Sequence, residues 1–264
     1  MKAVVFDWAG TMVDYGCFAP LAVFLQVFKN RGIELTAEEA REPMGMLKRD
    51  HIQALCRMER VAAQWQEKYG RIPDEADVDA LYADFEPMLM ETLHQYATPV
   101  PGAIQLAERL RGQGIKIGST TGYTREMMEI VTASAKQQGY APDVLVTPSE
   151  MPAGRPYPWM CYRNAMLLGV YPMSEIVKVG DTTSDMQEGR NAGMWTVGVL
   201  KGGSELGLSQ DEVASMAADE LDARLAKASE RLLVAGAHYV IEEIGRLDEV
   251  LAKINMRQSA GERP

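Results

Sequence analysis

Four short stretches gather side chains suited to handling a phosphoryl group: Asp7-Trp8-Ala9-Gly10-Thr11, Ser119-Thr120-Thr121-Gly122-Tyr123-Thr124, Gly154-Arg155-Pro156 and Gly180-Asp181-Thr182-Thr183-Ser184-Asp185. A carboxylate such as that of Asp7, Asp181 or Asp185 serves as a nucleophile or a hard-cation ligand, and Mg²⁺ favours a few carboxylates plus water and phosphate oxygens. Hydroxyl and backbone N–H groups at a helix start, as in 119–124, suit phosphate oxygens. Arg155 adds a permanent charge and a fork of donors. Together they fit phosphoryl transfer, where positioning and charge neutralisation supply most of the catalysis. Singly, each has a plainer reading: an N-capping Asp, a surface Arg, an ordinary helix start. What favours the chemical reading is that all four fall at the ends of successive strands.

Those strands are short apolar runs at 3–6, 115–119, 144–147, 176–179 and 195–199, with another near 238–241. Amphipathic stretches at 102–112, 124–138, 157–168 and 183–192 separate them, and helices at 210–216, 218–234 and 245–256 complete the chain. Alternation of this kind predicts an α/β fold: a Rossmann-like, open parallel sheet with helices on both faces. Ligands in such sheets bind at the carboxyl ends of the strands, where the four stretches lie. From 16 to 97 the rhythm breaks. Only helical patterns occur there, at 21–30, 46–57, 60–69 and 75–95, separated by Gly32, Pro43, Gly70 and Pro73. The expected organisation is a core of residues 1–15 and 98–264 with an all-helical insert of 16–97, hinged near Asp14–Cys17 and Thr98–Gly102. The last seven residues read as frayed.

Composition narrows the partners. The 264 residues carry 27 Lys+Arg against 37 Asp+Glu, a net charge of −10, which disfavours a nucleic-acid partner. No apolar run approaches the ~20 residues that span a bilayer. The start, Met-Lys-Ala-Val-Val-Phe-Asp, enters a strand without a secretory pattern. Cys17, Cys56 and Cys161 form no CxxC pair. A cytoplasmic protein with reduced thiols and no zinc site is expected.

Across the α/β core these motifs resemble the haloacid dehalogenase superfamily. The resemblance implies that Asp7 forms an aspartyl-phosphate, that Thr121 binds the phosphoryl group and that Arg155 holds the family's basic position. It also implies Mg²⁺ managed by Asp7, Asp181, Asp185 and the Ala9 carbonyl, directly or through water, beneath a closing cap formed by the insert. The sequence departs from the pattern at Ala9, where most members of the superfamily carry a second Asp as general acid and base. Either the protein is inactive, or its leaving group is not an oxygen. A carbon–phosphorus bond fits the second reading. Its departing carbanion needs an electron sink, which a lysine supplies by turning an adjacent carbonyl into an iminium.

The insert has three lysines, Lys29, Lys48 and Lys68. Lys48 sits among apolar neighbours in Pro43-Met44-Gly45-Met46-Leu47-Lys48, which desolvate an amine, and a helix puts His51 on the same face as a proton shuttle. A snorkelling surface lysine is the plainer alternative. With Ala9 and Lys48 together, the segments 7–20, 43–51, 118–128, 154–162 and 180–193 resemble the phosphonatase family. Met12 is the one departure noted. That resemblance implies Mg²⁺-dependent hydrolysis of phosphonoacetaldehyde to acetaldehyde and phosphate, through a Lys48 Schiff base and attack by Asp7. Thr121, Gly122 and Arg155 would bind the phosphonate, Cys17, Met44 and Tyr123 would border the pocket, and a homodimer through the cap is implied. An ester phosphatase or sugar-phosphate mutase would instead ignore loss of Lys48, and a silent phospho-ligand-binding regulator would release no phosphate.

Overall fold

A computed structural model describes residues 1–264. Six strands, β1 (Ala3–Phe6), β2 (Lys116–Thr120), β3 (Val144–Val146), β4 (Ile176–Gly180), β5 (Trp195–Val199) and β6 (Tyr239–Ile241), form one sheet in the order β3-β2-β1-β4-β5-β6. Every pairing is parallel, with Val4 of β1 registered between Ile117 and Val177. Helices on both faces bury a parallel sheet, so its central strands read as continuous apolar runs rather than alternating ones. All four residues of β1 and all five of β5 are buried accordingly.

Between β1 and β2 lies no other strand, and the first five helices there are α1 (Phe18–Asn30), α2 (Ala37–Arg41), α3 (Lys48–Arg57), α4 (Glu59–Tyr69) and α5 (Glu75–Thr92). They make the helical cap. Phe24 of α1 stacks on Phe85 of α5, ring centroids 4.4 Å apart. The chain crosses between cap and sheet twice, and the two crossings hold each other: Val100 N donates to Met12 O at 2.9 Å and Asp14 N to Thr98 O at 3.2 Å. Asp14 also caps α1, its carboxylate accepting from the N–H groups of Phe18 and Ala19, each at 3.0 Å. Two non-glycine residues in the left-handed region, Asp14 (φ 54°) and Cys17 (φ 52°), mark this crossing, a conformation that costs energy and concentrates at functional sites.

The remaining helices are α6 (Ala103–Gly112), α7 (Arg125–Gln137), α8 (Trp159–Leu168), α9 (Thr183–Asn191), α10 (Gln210–Ser215), α11 (Ala218–Val234) and α12 (Leu247–Ser259). Two expectations need correction. The short α2, opened by a Thr36 capping box, was not expected, because five residues are too few to show a helical period. The C-terminus is not frayed over its last seven residues. There α12 continues to Ser259, Arg257 pairs with Glu262 at 2.7 Å, and Arg263 donates to Ser174 Oγ at 3.2 Å. The bond to Ser174 comes from a segment distant in sequence, which no local pattern reveals.

Candidate active site

Asp7 follows β1, Thr121 follows β2 and Asp181 follows β4, so each reaches the carboxyl edge of the sheet by strand length alone. With the order 3-2-1-4-5-6, the crevice opens where the winding reverses, between β1 and β4. One carboxylate oxygen from each of Asp7, Asp181 and Asp185 lies within 4.8 Å of the others, and all three residues are buried. Glycine permits the convergence: a Cβ at Gly10 would stand 2.3 Å from Asp181 Oδ2, and one at Gly180 would stand 2.2 Å from Asp185 Cγ.

Each acid is held differently. Asp181 accepts from Thr11 Oγ1 at 2.8 Å and from the backbone N–H of Ser204 at 2.7 Å. Asp7 lies 2.7 Å from Arg155 Nη2. Asp185 is 2.6 Å from Lys178 Nζ and 3.1 Å from Arg155 Nη1, and accepts from Thr182 Oγ1 at 2.6 Å. Burial and then the charge of Asp185 raise the Asp7 carboxyl above its usual range, against the pull of Arg155. Asp181 is pushed well up, by burial and then by Asp7 and Asp185. Burial acts in the same sense on Asp185, but Arg155 and Lys178 outweigh it and hold that group low. Mutually repelling buried carboxylates of this kind fit a divalent cation, which supplies the missing positive charge.

Two residues of the site, Lys178 and Glu188, were not foreseen. Lys178, fully buried on β4, pairs with Glu188 at 3.2 Å and donates to Thr120 Oγ1 at 2.8 Å. Arg155 reaches the same two partners, Glu188 at 3.0 Å and Thr120 at 2.8 Å. A usable signal existed: a lysine inside a central parallel strand is buried on both faces and demands acid partners. Asp185 and Glu188, three apart on α9, meet that demand from one helix face.

The cap closes the crevice. Lys48 is the first residue of α3 and only 3% exposed. Its ammonium lies 4.9 Å from the ring centroid of Tyr123 and 5.8 Å from that of Phe24, and no carboxylate pairs with it. Burial, opposed by Cys17 and Asp7, lowers the amine from 10.5 to about 8. Of the expected site residues, Asp7, Ala9, Cys17, Met44, Lys48, Thr121, Gly122, Tyr123 and Arg155 line one cavity, joined by Gly45 and Thr182, with about 20 Å³ of free space. Asp181 and Asp185 do not line it, but each brings a carboxylate oxygen within 4.8 Å of one of Asp7. His51 does not line it. Its ring stacks on Phe24, centroids 3.9 Å apart, and Nε2 is bonded to Ala40 O at 3.0 Å, leaving Nδ1 without a partner. Burial and then the neighbouring Lys48 depress its pKa well below the usual value, so the ring is neutral and Nδ1 is an acceptor.

The backbones of cap and core approach closely at Gly122. A Cβ there would lie 2.6 Å from Met46 O and 2.9 Å from Gly45 O, backbone atoms that cannot swing aside. A Gly122→Ala protein is expected to fold normally yet lose roughly 10- to 100-fold in kcat/KM, since propping the cap by a fraction of an ångström spoils alignment. Steady-state kinetics beside an unchanged thermal melt check this.

A haloacid dehalogenase-like hydrolase family model matches residues 1–193. The chain is 59% identical over 258 residues to a phosphonoacetaldehyde hydrolase of Bacillus cytotoxicus, covering 98% of each. It is 61% identical over 254 residues to a bifunctional phosphonoacetaldehyde hydrolase/aminoethylphosphonate transaminase of Clostridioides difficile, covering 96% of this chain and 40% of that longer one. A crystal structure of a phosphonoacetaldehyde hydrolase-like protein from Oleispira antarctica superposes with a TM-score of 0.97 at 39% identity, over 100% of this chain and 95% of that one. A strand-end aspartate trio with alanine in place of a second acid, facing a buried cap lysine, thus sits in a chain that matches such relatives from end to end: it is a hydrolase and belongs to the phosphonoacetaldehyde hydrolase family of the haloacid dehalogenase-like enzymes.

Proposed function

We propose that the protein hydrolyses the carbon–phosphorus bond of phosphonoacetaldehyde, giving acetaldehyde and phosphate. The observation that carries this reading is Lys48: a buried amine, unpaired and lowered to about 8, in the same cavity as Asp7, where Ala9 leaves no acid to protonate an oxygen leaving group. About one Lys48 in ten is then the free amine at pH 7, against well under one in a thousand for an ordinary lysine. The amine attacks the aldehyde carbon and, on loss of water, becomes an iminium. An Asp7 oxygen attacks phosphorus as the C–P electron pair moves into the iminium and the fragment departs as an enamine. Protonation at carbon gives the ethylidene imine, which water hydrolyses to acetaldehyde and free Lys48. A second water displaces phosphate from the aspartyl-phosphate. The protons of imine formation are exchanged with water, because His51 lies outside the cavity and holds α3 through Ala40 O. Arg155, Thr121 and the Gly122 N–H hold the phosphonate oxygens, and Cys17, Met44 and Tyr123 keep water from the amine.

Asp7, Asp181, Asp185 and the Ala9 carbonyl would hold Mg²⁺, whose charge offsets the repulsion between phosphonate and carboxylate. A cytoplasmic homodimer completes the proposal, supported by the family resemblance. The test is borohydride reduction in the presence of phosphonoacetaldehyde, followed by peptide mass spectrometry. A two-carbon adduct on Lys48 is expected. Phosphate release with Lys48 unmodified would assign the protein to ester chemistry instead.

A further inference from the structure

One cap side chain crosses to the core outside the catalytic cavity. Arg41, the last residue of α2, sends its guanidinium to the hinge at Gly16 and to the 204–207 loop of the core. There Nη1 donates to Gly16 O at 2.8 Å and to Ser204 Oγ at 3.4 Å, while Nη2 donates to Gly207 O at 3.4 Å. The group lies 5.1 Å from the centroid of Phe18, and no carboxylate pairs with it. At Gly207 (φ +66°) a Cβ would stand 2.7 Å from Arg41 Nε, so the loop is shaped around this side chain.

Both ends of this crossing lead to the site. On the core side, Ser204 N donates to Asp181 Oδ2 at 2.7 Å, and a Cβ at Gly203 would lie 2.8 Å from Asp181 Cβ, so the loop that receives Arg41 is the loop that seats Asp181. On the cap side, Ala40 O bonds His51 Nε2 at 3.0 Å, and His51 is three residues from Lys48 on α3. Of the other cap–core ties of this stretch, Ser184 Oγ to Met44 O at 3.3 Å and Arg155 Nη1 to Gly45 O at 3.5 Å sit in the crevice itself, and an exposed pair joins Glu38 to Lys227 at 3.6 Å.

We propose that Arg41 is a positioning residue that couples closure of the cap, and with it the seating of Lys48, to the ordering of the Ser204 loop that orients Asp181. Only a planar fork of donors reaches acceptors on the hinge and on the core loop together. The coupling is reciprocal: a state that orders the loop favours the closed cap, and closure favours the ordered loop. The inference rests on the proposed chemistry only in taking Lys48 as the site's amine.

Its test is the exposure of Lys48 in full-length Arg41→Ala and Arg41→Lys proteins. The readout is the rate at which trinitrobenzenesulfonate modifies that residue, followed by peptide mass spectrometry without substrate. Loss of charged hydrogen bonds of this strength predicts about tenfold faster labelling in Arg41→Ala, and about a tenfold rise in KM with kcat changed less than about threefold. Arg41→Lys falls between. A crevice of about 430 Å³ borders the vacated space, so millimolar guanidinium chloride, but not sodium chloride, slows labelling of Arg41→Ala again. Wild-type labelling in both variants overturns the proposal, as does fast labelling that guanidinium leaves unchanged. If Arg41→Ala fails to fold, Arg41→Lys alone decides by its labelling rate. Because labelling needs no substrate, a failed carbon–phosphorus reading would leave its outcome intact.

Discussion

Lys48→Met is expected to abolish acetaldehyde release, on the order of 10⁴-fold or more, the scale reached when one member of a catalytic unit is removed. The same substitution is expected to stabilise the folded protein at pH 7. Lys48 falls from 10.5 in the unfolded chain to about 8 in the folded one, chiefly through burial. That difference is a folding cost of about 3 kcal/mol, present in full below pH 8. Between pH 8 and 10.5 the unfolded chain binds the proton and the folded one does not, so wild-type stability rises with pH across that window. Lys48→Met removes the cost and its slope. Urea denaturation at pH 7 and pH 10 measures both, and a variant less stable than wild type at pH 7 would refute the account of a desolvated, unpaired amine. In wild type, the rate of borohydride-trapped imine formation climbs towards pH 8 and then levels, following the free amine.

Asp7→Asn separates the two halves of the proposed reaction. An amide oxygen is a poor nucleophile toward phosphorus, so phosphate release is expected to fall on the order of 10⁴-fold or more. Imine formation needs only Lys48, so borohydride still traps an adduct there, now retaining the phosphonate because the C–P bond is intact. Mass spectrometry distinguishes this adduct from the two-carbon one of wild type. Loss of all adducts would mean that Asp7 takes part in imine formation, and residual phosphate release would remove it as the nucleophile.

The site was legible to the extent that its chemistry lies at strand ends. Asp7, Thr121, Asp181 and Asp185 each follow an apolar run, and strand order alone gathers them at one edge. Lys48 drew attention through an absence, the missing second acid at Ala9, and the structure places it in one cavity with Asp7. What stayed hidden depends on pairing across the sheet. Lys178 reads as one polar residue in Ile176-Val177-Lys178-Val179, and its importance shows only when Asp185 and Glu188 close over it. Arg41 has the same invisibility, because its acceptors at Gly16 and Gly207 lie far away along the chain and are backbone carbonyls, which carry no residue signature. His51 was placed on the correct helix and face, but not its partner Ala40, nor the stacking on Phe24 that keeps it out of the cavity.

The central position of β1 has a consequence for how the enzyme comes into being. Its residue Ala3 pairs with Lys116 on one side and Ile176 on the other. β1 is therefore made before either neighbour, while the cap helices between Phe18 and Thr92 contact one another, α1 and α3 each against α5. Contacts closed over such sequence distances form late. Until synthesis has passed Asp185, Asp7 has neither Arg155 beside it nor the two acids that complete its trio, so no shorter chain carries the site. Chemistry in this molecule waits until most of the chain has been made.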